Sequence, residues 1–321
     1  MQLHKWLLVA AVTMTVAAGC AGPTPGGCRD DRECPMDNAC VAGKCRPLVT
    51  EGDLAQPEAA DMAMTPSPDL ATMGMDGGKP AGGDMAGGLC NFNGDGVITR
   101  DELPAIVGLG GLFAVNPAGQ NVTVSLRAQN GVWDFAAPVQ GEQKVFDQLI
   151  DPKGTWWEKD FAGATYAQRL DANQPFLGVY KMSQAALSLL GVVSDMAGAS
   201  QTSLKYATPI DVVRFPLRVG SNWTQKSTVT GTYMGNPFFA STEDYAFNVD
   251  QRGTTKVPAG NYDTLRLRFD LTQTVGFVVT KHIAFIHMAE CFGNVARIRS
   301  KDNETNADFT TATEYRRMAT P

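Results

Sequence analysis

One stretch of this chain gathers oxygen-bearing side chains at short intervals: Asn91, Asn93, Asp95, Thr99 and Glu102, threaded around Gly94 and Gly96. Amide, hydroxyl and carboxylate oxygens are ligands for hard cations, so the chemistry this run offers is the holding of such an ion. The other reactive groups are seven cysteines and three histidines. His282 and His287 stand five apart in a strand-like run, which sends them to opposite faces and argues against joint catalysis. The chain contains no G-x-S-x-G, H-E-x-x-H, P-loop or C-x-x-C motif. Glu243 and Asp244 are adjacent carboxylates, yet nothing in the sequence sets them face to face as an acid–base pair. Trp156 and Trp157 are neighbours too; as part of a strand, one would enter the core and the other could line a groove. The expectation is a binding protein and not an enzyme. A net charge of −6 also argues against nucleic acid, which calls for a basic footprint.

The run from Asn91 to Glu102 resembles the twelve-residue EF-hand loop of calcium-binding proteins. By position, the resemblance implies as ligands Asn91, Asn93, Asp95, the carbonyl of Val97, Thr99 through a water, and Glu102, with Ca2+ as a structural cofactor. Gly96 permits the sharp bend. Ile98 packs inward, and Thr99 and Glu102 are spaced as a capping box. Asn91 stands where such loops normally carry aspartate, so only Asp95 and Glu102 contribute charge. That points to weak affinity, roughly 10⁻⁴–10⁻³ M. The glycine-rich stretch from Ala81 to Gly88 supplies no entering helix, and Pro104 interrupts the exiting one. No second loop of this kind is visible, which favours a structural ion over a switch.

The N-terminus carries Lys5 and then an apolar run from Trp6 to Ala18. As a helix it covers roughly 20 Å, short of the roughly 30 Å hydrocarbon core of a bilayer. It reads as the apolar region of a signal peptide, residues 1–19. Ala17-Ala18-Gly19-Cys20 resembles the lipobox of bacterial lipoproteins, which implies lipidation of Cys20 and a membrane held through that lipid. Ala21 lacks the aspartate associated with inner-membrane retention, so the resemblance implies the outer membrane of the cell envelope, facing the periplasm or the surface. Export places the remaining six cysteines where disulfides persist. Cys28, Cys34, Cys40 and Cys45 are expected to form two local disulfides whose connectivity stays open. Cys90 and Cys291 are expected to form one long-range staple.

The chain then divides into a lipidated N-terminus (20–27), a cysteine-rich module (28–45), a Pro/Gly/Ala/Met/Asp linker (46–88), the calcium-type loop (89–104) and a β-rich domain (105–321). The linker has no aromatic residue and repeats Asp-(Leu/Met)-Ala at Asp53, Asp61, Asp69 and Asp84. It reads as a disordered tether with a reach of roughly 35 Å. The β-rich part alternates apolar and polar residues. Over 262–271, Leu265, Leu267, Phe269 and Leu271 are expected inside, with Thr264, Arg266, Arg268 and Asp270 in water. Val122, Val124 and Leu126 suggest a second half-buried strand. Helix is expected only after Glu102, over 143–150 and over 183–190. The fold class is mainly β: an antiparallel barrel or strongly curved sheet, with the loop and a short helix at its N-terminal end.

Phe215-Pro216-Leu217-Arg218-Val219-Gly220-Ser221-Asn222-Trp223, followed by Val257 to Thr264, resembles bacterial envelope domains with the half-open β-barrels of periplasmic lipoprotein carriers. The resemblance implies an apolar concavity. Two functions follow as expectations: a calcium-stabilised binding and interaction module for a protein partner, or a carrier of a lipid or other apolar small molecule. A concave apolar interior favours the carrier; a barrel filled by its own side chains excludes it.

Overall fold

The computed structural model describes residues 38–41, 44–47 and 90–320. The signal peptide, Cys20, Cys28, Cys34 and the linker from residue 48 lie outside the described residues. Strands β1 (Asn38–Val41) and β2 (Lys44–Pro47) form a hairpin whose backbone register sets Cys40 opposite Cys45. This hairpin belongs to a separate compact unit from the β-rich domain.

The β-rich domain is a nearly closed antiparallel barrel. Its strands are β3 (Gly110–Val115), β6 (Gln143–Gln148), β7 (Tyr166–Arg169), β8 (Phe176–Met182), β9 (Ala186–Ser194) and β10 (Ser203–Arg214). They continue with β11 (Asn222–Tyr233), β12 (Asn236–Val257), β13 (Gly260–Val275), β14 (Val278–Ala289), β15 (Gly293–Ser300) and β16 (Thr311–Met318). From β7 to β16 each strand pairs antiparallel with the next in sequence; β16 then pairs with β3, and β3 with β6. Two short strands lie off this path: β4 (Val122–Thr123) pairs with β16, and β5 (Val132–Asp134) runs parallel to β12. The seam is narrow. Just beyond β6, the Ile150 N–H donates to the Ala167 carbonyl at 2.8 Å, and the Ala167 N–H donates back at 2.9 Å. Closure removes the unpaired edges that would otherwise invite aggregation.

Alternation along each strand divides side chains between the inside and the outside of the barrel. On β14, Ile286 and Met288 join the inner apolar cluster with Leu265 and Leu267 of β13. Ile283 and Phe285 face outward, where Val122, Val124, Leu126, Trp133 and Phe135 cover them. A second outer layer, from Trp157 and Phe161, covers Leu177, Val179 and Val193 on β8 and β9. The barrel is thus sandwiched between an inner apolar wall and two outer covers. Each cover is a connecting segment with little regular structure of its own.

These covers overturn several expectations. Thr264 and Arg266 are buried on the outer face of β13 instead of facing water. The Arg266 guanidinium lies over the Trp133 and Phe285 rings, donates to the Leu126 carbonyl at 2.6 Å, and pairs with Asp250 at 2.7 Å. Arginine tolerates this because its planar, weakly hydrated head stacks on aromatic faces while its donors find partners. Of the expected strand at 122–126 only Val122–Thr123 pairs, although Val124 and Leu126 are buried. The helix after Glu102 is a single 3-10 turn, Arg100–Glu102, ended before Pro104. The other two helical segments are strands β6 and β9. β6 misleads because its polarity is inverted: Phe146 is exposed and Asp147 buried. Trp156 and Trp157 sit in a turn, not a strand. Trp157 is buried in the outer cover, and the Trp156 indole N–H donates to the Ser194 carbonyl at 3.3 Å, so neither lines the interior.

Candidate ligand cavity and the N-terminal loop

The inner wall does not fill the barrel. It encloses a cavity of about 1940 Å³. That exceeds the roughly 300–1,000 Å³ of an ordinary small-molecule pocket. Two arcs differ in chemistry. Strands β9 to β14 supply Leu189, Leu204, Val229, Phe247, Leu267, Phe269, Ile286 and Met288. Trp223, from the segment that resembled the carrier domains, stacks on Phe247 with ring centres 4.8 Å apart, and Leu217 is fully buried beside it. These residues are packing elements of the wall. At one end Leu103, Pro104 and Cys291 form the floor. At the other, Tyr233 and Phe239 line the cavity and their rings lie 5.5 Å apart. Between them in sequence, Met234 and Phe238 stand exposed, so apolar surface continues from the β11–β12 turn into the interior.

The arc formed by β7, β6, β16 and β15 is charged but internally paired. Arg316 donates to Asp147 at 2.5 Å, and the Gln168 amide donates to the same Asp147 oxygen at 3.0 Å across the seam. Arg299 reaches Asp171 at 3.2 Å, while Arg297 and Arg299 lie 3.5 and 3.4 Å from Glu314. The Tyr180 hydroxyl, also in the wall, is pushed up to about 12, mainly by burial.

A separate polar site interrupts the apolar arc. The Tyr206 and Tyr245 hydroxyls each donate to Glu243 Oε2 at 2.7 Å, and the Gln273 amide donates to Glu243 Oε1 at 2.7 Å. Burial, reinforced by the neighbouring Glu243 charge, holds both tyrosines well above the usual phenol range, so they remain donors. Glu243 and Asp244 part company here. Asp244 points outward to Lys226 at 3.0 Å, and Glu243 points in.

The N-terminal loop lies at the floor end. Asn91, Asn93 and Asp95 are exposed, Val97 and Thr99 are half-buried, and Glu102 is buried. Asn93 Oδ1 accepts the Asp95 N–H at 2.8 Å, and Asp95 Oδ1 accepts the Val97 N–H at 2.7 Å. Glu102 Oε2 accepts both the Thr99 N–H and its hydroxyl at 2.8 Å, completing the capping box. Ile98 packs inward and pairs with Leu217. The expected disulfide is present: Cys90 and Cys291 are joined, and the Cys291 N–H donates to the Glu102 carbonyl at 2.8 Å.

Two residues at this loop carried no signal of their own in the sequence. Glu290 accepts the backbone N–H groups of Asn93, Gly94 and Gly96 at 2.8–3.3 Å. Arg252 donates to the Gly94 and Asp95 carbonyls at 3.1 Å while pairing with Asp263. The Arg252 guanidinium occupies the space a Cβ at Gly96 would need, and Gly96 has φ +79°. The loop is therefore held by an anion on its N–H side and a cation on its carbonyl side, both from the chain itself. Glu290 precedes Cys291, so the expected staple already placed a carboxylate beside the loop. Among the described residues, no group of three or more His, Cys, Asp or Glu side chains is placed to hold a metal ion. The implied calcium set thus depends on amide, hydroxyl and carbonyl oxygens beside Asp95 and Glu102.

Comparison with protein-family models, curated proteins and solved structures returned no match.

Proposed function

We propose that this chain is a non-enzymatic, lipid-anchored protein of the bacterial envelope that carries an apolar or amphiphilic small molecule inside its barrel. The observation that carries this reading is the cavity of about 1940 Å³ with a predominantly apolar arc. A barrel filled by its own side chains would have favoured an interaction module that uses only the outer surface. The anchor at Cys20 and the outer-membrane address rest on the lipobox resemblance alone.

Titrating the full chain with an environment-sensitive naphthylamine probe tests the reading. Saturable uptake is expected, reversed by a long-chain alcohol. Val192→Trp, which projects an indole from a partly buried wall position into the cavity, is expected to weaken uptake at least tenfold at a stability cost of no more than about 1–3 kcal/mol. Absence of saturable uptake would return the protein to the interaction-module reading.

Calcium at the N-terminal loop is a second, independent proposal, supported by the side-chain turns at Asn93 and Asp95 and by the staple. Because Glu290 and Arg252 already satisfy the loop backbone, a weak ion adds little. At a few millimolar calcium the expected gain is about 1 kcal/mol, from an affinity on the order of 10⁻³ M. Chelator melts measure it, with Asp95→Asn removing it. An unchanged melt would leave the loop a turn held by Glu290 and Arg252 alone.

A further inference from the structure

Glu243 differs from the other carboxylates in or behind the cavity wall. Asp147, Asp171 and Glu314 each face an arginine. Glu243 is only 5% exposed and has no basic partner among the described residues. Its three donors are neutral. A buried carboxylate is costly unless a cation or strong donors offset it, and here the offset stops at two hydroxyls and one amide. A carboxylate offers about four acceptor positions, so one remains for a further donor. The Tyr206 and Tyr245 oxygens, 3.3 Å apart, also keep lone pairs of their own. The Tyr245 ring stacks on Phe247 at 5.7 Å, which fixes the direction of its hydroxyl. A buried carboxylate with an acceptor position to spare, flanked by two hydroxyl oxygens, forms a site for a cation with N–H donors.

We propose that the barrel recognises an amphiphile bearing a protonated amine, seated at Glu243 between Tyr206 and Tyr245, with its chain along the apolar arc. The proposal rests on the carrier reading and supplies its ligand class. Register supports the division of labour. From Glu243, the inward positions of β12 continue through Tyr245 and Phe247 to Val249, roughly 20 Å of largely apolar wall towards the floor. Opposite, Arg297, Arg299 and Arg316 each already face a carboxylate, so an anionic head group has to compete with Asp147, Asp171 or Glu314 for them.

The test uses the full chain at pH 7 and displacement of the bound naphthylamine probe by dodecylamine, dodecanol and dodecanoic acid, all of one chain length. Dodecylamine is expected to bind at least tenfold tighter than dodecanol, and dodecanoic acid no tighter than dodecanol. Glu243→Gln is expected to erase the amine preference and to change dodecanol affinity less than threefold. Glu243→Met, which removes both charge and hydrogen bonds at similar volume, repeats the comparison if the glutamine variant folds poorly. Equal affinity for amine and alcohol in the parent, or a preference that survives both variants, overturns the proposal while leaving the carrier reading intact. Failure of all three to displace the probe, or no probe uptake, is the failure of the carrier reading itself. A lipid amine and a free alkyl amine share this chemistry. Lysophosphatidylethanolamine binding tighter than dodecylamine assigns the lipid, and the reverse order assigns the free amine.

Discussion

Replacing Cys90 and Cys291 together by serine is expected to lower the stability of the barrel by about 3–5 kcal/mol, with the same loss on reducing the parent protein. The cysteines are 201 residues apart in sequence. Closing so long a loop removes much of the freedom of the unfolded chain, and loop-entropy scaling puts the limit at about 5 kcal/mol. The staple also acts locally. It joins the residue before the loop to the β14–β15 turn that supplies Glu290, so cutting it frees both sides of the Glu290 clamp. Cys291 occupies a left-handed conformation, φ 66°, which glycine adopts without cost. The pair Cys90→Ser with Cys291→Gly should therefore lose about 1 kcal/mol less than the double serine variant. Denaturant titrations with and without reductant measure both differences. A loss under about 1 kcal/mol on reduction would show that the floor is held by Ile98, Leu103 and their neighbours without the staple.

How far the sequence reaches differs from one part of this molecule to another. The inner wall was legible, because Leu265, Leu267 and Phe269 alternate without interruption and strand periodicity is local. The Cys90–Cys291 staple was legible by pairing what remained once Cys20 and the cysteine-rich module were set aside. The outer covers were not. Nothing local announces that the segment around Trp133 will lie over β13 and turn Arg266 from a solvent residue into a buried one. The seam was equally hidden, since it depends on one pair of backbone bonds at Ile150 and Ala167 and on a buried Asp147 in a strand whose exposed neighbour is Phe146. Glu243 is an intermediate case. It shares its phase with Tyr245, Phe247 and Val249, a signal present in the sequence, although as a sequence Glu243 reads only as a carboxylate next to Asp244. What the sequence lacked was the register that sets Gln273 opposite Glu243 on β13, and the curvature that carries Tyr206 of β10 to the same carboxylate. Local period fixes which face a residue takes; only closure decides what it meets there.

That distinction gives His287 the second large effect. His287 lies on the outer face of β14, fully buried between the Trp133 and Phe135 rings at 4.8 and 5.2 Å, with Nδ1 2.8 Å from the Thr255 hydroxyl. Burial, and then the charge of Arg266, push its imidazole down to about 3 from an ordinary value of 6.5. The folded protein therefore refuses a proton that the unfolded chain accepts below pH 6.5. Stability is full above that pH and falls as pH drops towards 3, because the unfolded state binds more protons throughout the window. At pH 4 the loss attributable to His287 is about 3 kcal/mol. His282, on the opposite face, is pushed down to about 4 by burial and then by Arg299, and adds a loss over the same window. His287→Phe keeps a ring between Trp133 and Phe135 and leaves Thr255 its bond to Thr264 at 2.7 Å. It is expected to cost about 1 kcal/mol at pH 7, for the lost hydrogen bond, and to be the more stable protein at pH 4. Denaturation midpoints across pH 7 to 4 should cross between parent and variant. Parallel curves would mean that the cover carrying Trp133 opens to water before His287 resists its proton. The outer layer would then be a loosely held flap over a barrel that stands without it.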